Sequence, residues 1–81
     1  MKRNDAENIS KKVVSLLNKA RIEKSISKSQ ISKATGMSRT AITLIENNKN
    51  CPTLRSLLML ANSIGVDLKE VIAKAEAEQK K

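Results

Sequence analysis

The helical spacing of the apolar residues, interrupted repeatedly by capping residues and helix breakers, is the feature that most constrains the fold of this chain. Apolar side chains recur every three or four positions, and no segment alternates between apolar and polar residues long enough to suggest a strand. The pattern predicts an all-α fold, a bundle of five helices in one domain. We place the domain at residues 1–81 and its helices at about residues 5–24, 28–35, 39–47, 54–64 and 68–78.

Residues with specific roles at helix ends mark the boundaries of these segments. Ser27 and Gln30 have the spacing of a capping box, and so do Asn4 and Glu7. Gly36 can adopt the left-handed conformation that ends a helix. We predict further caps and terminators at Ser38, Asn47, Asn48, Thr53, Gly65 and Asp67.

The core of such a bundle has to be aliphatic, because the chain contains no aromatic residue. Residues at helical spacing on one side of each segment are expected to point inward. By this criterion the inward positions are Ile9, Val13, Leu16, Leu17, Ala20, Ile31, Ala34, Ala41, Ile42, Ile45, Leu54, Leu57, Leu58, Ala61, Ile64, Leu68, Val71, Ile72 and Ala75.

The composition limits the classes of function. The single cysteine, Cys51, excludes an intrachain disulfide, and without histidine a zinc site has almost no ligands. We find no nucleophile–base pair and no paired acids, so we expect neither an enzyme nor a metal or cofactor. No apolar run approaches the ~20 residues of a membrane span. We therefore expect a soluble, cytoplasmic protein.

The charge of the chain favours an anionic partner such as nucleic acid. Sixteen Lys and Arg against eight Asp and Glu give a net charge of +8. The excess lies in the middle of the chain, where Glu46 is the one acid between Lys24 and Arg55. The basic residues that give this part its positive potential are Lys24, Lys28, Lys33, Arg39, Lys49 and Arg55.

The second and third segments form the most informative unit. The turn between them, residues 36–38, is too short for two antiparallel helices to lie side by side, so they should cross steeply, as in a helix-turn-helix. Such a crossing requires small residues at the contact, and Ser32 and Ala34 meet this requirement. The outer side of the third segment then carries Arg39 and Thr40, which could reach base edges in a DNA major groove.

These residues resemble those of the Cro and phage-repressor helix-turn-helix proteins, also called the Xre-type family. The resemblance covers "ARIEKSISKSQISKATGMSRTAITLIENNKNCPTLRSLLMLANSIGVDLKEVI", residues 20–72. It rests jointly on the small-residue helix, the turn glycine, the capping Ser38, "IE" before a left-handed residue, Pro52-Thr53 and "IGVDLKEVI". It implies a lambda-repressor-like five-helix bundle and sequence-specific binding to double-stranded DNA.

The resemblance also implies roles for individual residues. Lys28, where the family usually has Gln, would lie over the phosphate backbone at a helix N-terminus. Leu44 could touch a thymine methyl group or lean back onto the fourth helix, and Arg21 and Glu46 match a structural pair joining the first helix to the third. Implied base contacts are Ser38, Arg39, Thr40, Thr43 and Leu44, and implied phosphate contacts are Ser27, Lys28, Asn47, Lys49 and Thr53.

Three residues depart from the family pattern. Ser32 replaces the usual Ala, and Thr35 stands where an apolar residue is common. Asn48 replaces the usual Gly at a left-handed position, which Asn tolerates. The departures bear on the packing of the second helix and on the end of the third.

The function expected from this resemblance is that of a bacterial or phage transcriptional regulator that binds an inverted-repeat operator as a homodimer. Repression is the simplest mechanism, and pairing would use the fifth helix or the long first helix. One alternative is an antitoxin that binds a toxin protein and regulates its own operon, and another is a restriction–modification controller protein.

Overall fold

A computed structural model describes residues 1–79, and over that range the chain forms five α-helices and no strand. The all-α prediction is confirmed, and most helix boundaries fall within two residues of the predicted ones. None of the helices in this range is long and apolar enough to cross a membrane. The helices are α1 (Arg3–Glu23), α2 (Lys28–Thr35), α3 (Arg39–Glu46), α4 (Leu54–Ile64) and α5 (Leu68–Gln79).

The start of α1 differs from the predicted one. The backbone nitrogen of Lys2 donates to Oδ2 of Asp5 at 3.2 Å, and the helix begins at Arg3. Asn4 therefore lies inside the first turn, and the expected cap at this residue is wrong. Asp5 makes the capping hydrogen bond instead, because its carboxylate reaches a free backbone amide at the N-terminal, positive end of the helix dipole.

Capping interactions define both ends of α2 and the start of α3. Oγ of Ser27 accepts from the backbone nitrogen of Gln30 at 3.1 Å, and Oε1 of Gln30 accepts from the nitrogen of Ser27 at 2.7 Å. Oγ of Ser38 accepts from the nitrogen of Ala41 at 3.0 Å. Gly36 has φ +79°, and a Cβ there would meet no atom within 4 Å. Glycine is thus favoured at this turn for its backbone conformation rather than for lack of space.

The core lies where all five helices meet. The long α1 runs along α5 and also contacts α3 and α4, while α2 packs between α3 and α4. Beside α1, helix α5 continues one residue past its predicted end, and Nζ of Lys12 lies 3.6 Å from Oε1 of Glu78. The buried residues are Val13, Val14, Leu17, Ile31, Ile42, Ile45, Leu60, Ala61, Ile64, Leu68 and Ala75.

Two of the leucines predicted to be inside α4 are exposed. Leu54 retains 65% and Leu58 52% of its accessible surface, whereas Leu60 is buried. The inward side of α4 follows Leu57, Leu60 and Ile64, and successive residues of a helix point about 100° apart. Leu58 is therefore turned away from the core, and Leu54, one turn before it, lies on the same outer edge.

The prediction for Ala34 on α2 is also wrong, because this residue is exposed. Ile31 is buried, and the residue that lies inward one turn later is Thr35. Oγ1 of Thr35 donates to the carbonyl of Ile31 at 2.8 Å and accepts from the backbone nitrogen of Met37 at 3.1 Å. The threonine therefore fastens the end of α2 to the turn that leads into α3.

Candidate nucleic-acid interface

The candidate interface is built on α2, the turn at residues 36–38 and α3, which we call the helix-turn-helix unit. One side of α3 is held in the core by Ile42 and Ile45. On the other side Arg39 and Thr40 are exposed, and Thr43 is partly buried. The short polar side chains of α3 are thus presented outward on a helix that the core holds in place.

An ion pair between Arg21 and Glu46 fixes α3 against α1. Nε of Arg21 donates to Oε2 of Glu46 at 3.0 Å, and the two side chains are only 13% and 12% exposed. The same guanidinium donates to the carbonyl of Ile26 at 2.7 Å and to Oδ1 of Asn18 at 3.1 Å. Arg21 therefore connects three segments: α1, the loop before α2 and the end of α3.

The ammonium group of Lys28 is turned toward α3. Its Nζ donates to Oγ1 of Thr43 at 3.1 Å and lies 3.5 Å from Oε1 of Glu46. The side chain remains 37% exposed. An ammonium has three N–H donors, so these contacts leave one donor for another partner. The sequence pattern did not indicate the contact with Thr43, because it joins side chains on two different helices.

Arg39 lies at the first position of α3 and is exposed. Nη1 donates to Oγ of Ser29 on α2 at 3.4 Å, a long hydrogen bond between exposed groups. Its remaining donors form the planar fork that suits bidentate recognition. Ser29 was not among the predicted site residues; it is the second residue of α2, and its long hydrogen bond gives a weak orientation to Arg39.

The other predicted base-contacting residues lie around Arg39 on the same helix. Ser38 is exposed, and although its hydroxyl oxygen accepts the capping hydrogen bond, its O–H can still donate. Thr40 is exposed beside it, while Leu44, one turn later, is partly buried. Ser38 and Thr40 therefore lie at the start of α3, and Leu44 lies toward its end.

The predicted phosphate-contacting residues fall into two groups at opposite ends of the unit. Ser27 and Lys28 lie at the start of α2, whereas the others follow α3 in the loop that leads to α4. Asn48 has φ +58° in that loop, and the backbone nitrogen of Lys49 donates to the carbonyl of Leu44 at 2.8 Å. The loop residues of this set are Asn47, Lys49 and Thr53, and all three are exposed.

Fewer basic side chains around the unit are available to an anionic partner than the sequence count suggested. Glu46 is offset by both Arg21 and Lys28. Lys24 is committed elsewhere, since its Nζ donates to the carbonyls of Ile64 at 3.0 Å and Gly65 at 3.2 Å at the end of α4. The basic side chains left exposed in this part of the chain are Lys33, Arg39, Lys49 and Arg55.

The structure also bears on whether the chain has a metal site or a paired cysteine. Across residues 1–79 no group of three or more His, Cys, Asp or Glu side chains is placed to hold a metal ion. Cys51 is a free, exposed thiol in the loop before α4.

Comparisons with known proteins match this part of the chain. A family model described as "Helix-turn-helix" matches residues 17–71, from the middle of α1 to the start of α5. Among curated proteins, the chain is similar to the "ImmF control region 10 kDa protein" of Bacillus phage phi105, with 38% identity over 58 residues. The matched region is 72% of this chain and 64% of that relative, so the chain spans just under two thirds of the relative's length. No solved structure matches the chain.

Proposed function

The chain belongs to the helix-turn-helix family of Cro and phage repressors, and from this premise we propose that it is a sequence-specific DNA-binding regulator of transcription. The observation that carries the proposal is the exposed polar side of α3, which begins with Arg39 and is braced by Arg21, Glu46 and Lys28. A helix held by its apolar side, with accessible donors on the other, fits the DNA major groove.

In the proposed complex α3 enters the major groove and Arg39 reads a guanine. Its guanidinium donates to O6 and N7, the commonest specific contact between a protein and a base. Thr40 and Thr43 offer both a hydroxyl and a methyl group, so each suits a base edge or the methyl group of thymine. Ser38 and Leu44 complete the base-facing set at either end of this surface.

Contacts to phosphates set the position of α3. Ser27 and Lys28 face one strand from the start of α2, and Asn47, Lys49 and Thr53 face the backbone beyond α3. Lys28 acts in two ways, because it anchors Thr43 while its remaining N–H donates to a phosphate oxygen. The position of α3 in the major groove is thereby coupled to the position of the DNA phosphate backbone.

The regulator acts as a homodimer on an inverted repeat in cytoplasmic DNA and represses by covering a promoter. A single small module buries too little surface for tight specific binding, and two-fold pairing places two recognition helices about one turn of DNA apart. The name of the phage relative, a control region protein, supports a regulatory role.

Selection of bound duplexes from a random-sequence pool, at near-physiological salt, tests this function. The proposal expects enrichment of an inverted repeat whose half-sites are centred about 34 Å apart, one turn of DNA. If the protein retained DNA without enriching any sequence, and this binding disappeared as salt was raised, the net positive charge alone would account for DNA binding. The function proposed here would then be wrong.

A further inference from the structure

Helix α1 and the loop between α3 and α4 form a polar groove that lies outside the helix-turn-helix unit. Most of its side chains come from one side of α1, because they follow one another at helical spacing. One residue of the loop and the end of α5 complete it. We call this feature the α1–loop groove. It is lined by Asn8, Lys11, Lys12, Ser15, Asn48, Glu78 and Gln79.

The net positive charge of the groove comes from Lys11. Nζ of Lys12 lies 3.6 Å from Oε1 of Glu78, the acid of the groove, so these two charges offset each other. Glu7, one turn before Lys11 on α1, lies 3.4 Å from Arg3 instead. Lys11 is exposed, and the ion pairs among residues 1–79 involve other cations, namely Arg3, Lys12, Arg21 and Lys28.

The groove opens beside the proposed phosphate contacts of the loop. Asn48, which lines the groove, lies between Asn47 and Lys49 in the chain, and both of these are exposed. The loop is held in place at this point, since the backbone nitrogen of Asn48 donates to the carbonyl of Ile45 at 3.0 Å and that of Lys49 to the carbonyl of Leu44 at 2.8 Å. The polar side of α1 is therefore adjacent to the loop that is proposed to follow the DNA backbone.

We propose that the α1–loop groove binds a phosphate group of the DNA backbone, next to those contacted by Asn47 and Lys49, with Lys11 as the cation. The inference rests on the proposed function and extends it, because it adds α1 to the DNA-binding surface. The surface that follows the backbone then continues from the loop onto the first helix.

The chemistry of the groove suits a phosphate. Lys11 has three N–H donors, the amide of Asn8 has two, and the hydroxyl of Ser15 has one. Lysine, asparagine and serine side chains are among the usual donors to phosphate oxygens in complexes with DNA. The open volume of the groove is about 390 Å³, many times the roughly 30 Å³ that a water molecule occupies in the liquid. A phosphate oxygen can therefore enter without any movement of α1.

A second exposed lysine on α1 lies in different surroundings. Lys19, about two turns after Lys11, lines another groove between α1 and α5. Three acids line that groove with it, Glu23, Asp67 and Glu70. Their negative charge disfavours a phosphate there. Lys19 is therefore the matched control for Lys11: the same residue type, equally exposed, on the same helix.

The test compares Lys11→Gln with Lys19→Gln on the operator selected by the wild-type chain, in a titration of salt. Each substitution removes one charge from an exposed position of α1, and glutamine is nearly as good a helix former as lysine. At about 50 mM salt Lys11→Gln should bind at least about threefold more weakly than Lys19→Gln. That ratio should fall about threefold by about 200 mM salt, because one phosphate contact adds about 0.9 to the salt slope.

The contacted phosphate is located with duplexes in which one phosphate at a time is replaced by an uncharged methylphosphonate. One such replacement in each half-site should weaken the wild-type chain and Lys19→Gln but leave Lys11→Gln unaffected. Lys49→Gln should be insensitive at a neighbouring phosphate, as expected if the groove continues the row of contacts made by the loop.

Two results would overturn the inference. Equal weakening by Lys11→Gln and Lys19→Gln at every salt concentration would reduce Lys11 to a share of the net charge. A Lys11→Gln variant that stayed sensitive to every replacement that weakens the wild-type chain would show that Lys11 contacts no phosphate. A wild-type chain that enriched no sequence would refute the proposed function instead. The salt titration on a random duplex would then still decide the role of Lys11, because phosphate contacts do not depend on sequence.

Discussion

The ammonium of Lys28 at the start of α2 donates a hydrogen bond to the hydroxyl of Thr43 on α3, with 3.1 Å between Nζ and Oγ1. The same group lies 3.5 Å from Oε1 of Glu46, and the other oxygen of that carboxylate, Oε2, accepts from Nε of Arg21. The two helices of the unit are thus joined through side chains at the point where, in the proposed complex, α2 faces phosphate and α3 faces bases. This arrangement gives Lys28 a positioning role that a free surface lysine would not have.

Replacement of Lys28 by alanine should change specificity as well as affinity. Loss of one phosphate contact is expected to reduce the slope of log Kd against log salt by about 0.9. Because Thr43 loses its anchor, discrimination at the base pair it faces should also fall. The measurement is a salt titration on the operator and on duplexes with single base-pair changes. Lys28→Gln, which keeps hydrogen-bonding capacity without the charge, should retain more of the discrimination than alanine.

Lys33→Ala is the matched control for this prediction, because Lys33 is an exposed lysine on the same helix. It removes the same charge, and its effect should be equal on every duplex. If Lys28→Ala also lowered affinity equally on every duplex, its bond to Thr43 would have no part in recognition.

The pair of Arg21 and Glu46 should contribute substantially to the stability of the fold. Glu46→Gln leaves a largely buried guanidinium without its counter-charge. The expected loss is about 3 kcal/mol, at the lower end of the cost of breaking a buried pair. For a domain of this size each kcal/mol lowers Tm by roughly 4–8 °C. Chemical denaturation gives the free energy of unfolding directly.

Glu7→Gln provides the comparison for the buried pair. Glu7 lies 3.4 Å from Arg3 within α1, where the two side chains are 54% and 92% exposed. Its removal should cost no more than about 0.5 kcal/mol, as for other exposed helical pairs. Equal effects of the two substitutions would mean that the contact between α1 and α3 adds nothing beyond a surface ion pair.

Ser25 holds a backbone conformation that is costly for an ordinary residue, with φ +57° just after α1. Ser25→Gly should stabilise the protein by about 0.5 kcal/mol, because relief of left-handed strain exceeds the added entropy of the unfolded chain. The same substitution at Ser15, exposed within α1, should instead destabilise by about 0.5 kcal/mol. Thermal unfolding of both variants gives the sign of each change in stability. If both substitutions destabilised the protein, Ser25 would not be strained.

The parts of the fold that depend on neighbours along the chain were predictable from the sequence. Ser27 with Gln30, Ser38 and Gly36 act through bonds or conformations within four residues. Their positions in the sequence therefore determined the ends of α2 and the start of α3. The contact between these two helices is likewise local, since only a three-residue turn separates them.

The parts that depend on tertiary contacts were not predictable in the same way. Leucines point in so many directions around α4 that their spacing does not reveal which side of the helix faces the core. For this reason Leu54 and Leu58 were wrongly predicted to lie inside. Ser25 carries no glycine-like signal for a left-handed residue. Lys28 has a long flexible side chain, and its choice of Thr43 over solvent depends on the packing of α2 against α3.

The central claim is that α3 reads bases through Arg39, and Arg39→Ala is the substitution that isolates this claim. Arg39 is exposed, and its side chain donates a long hydrogen bond to Ser29, which is also exposed. Its removal should leave folding stability nearly unchanged. Arg3→Ala serves as the control, since it deletes an arginine charge at the start of α1, outside the helix-turn-helix unit.

The deciding measurement is the binding free energy of wild type, Arg39→Ala and Arg3→Ala to a panel of operators in which each base pair is replaced in turn at fixed salt. For wild type, replacement of one G·C pair in each half-site should cost about 1–3 kcal/mol. Arg39→Ala should lose that penalty at the same pair and keep the penalties elsewhere, while Arg3→Ala keeps them all. If Arg39→Ala instead weakened every duplex by the same amount, Arg39 would contact only the backbone, and base reading by α3 as described would be contradicted.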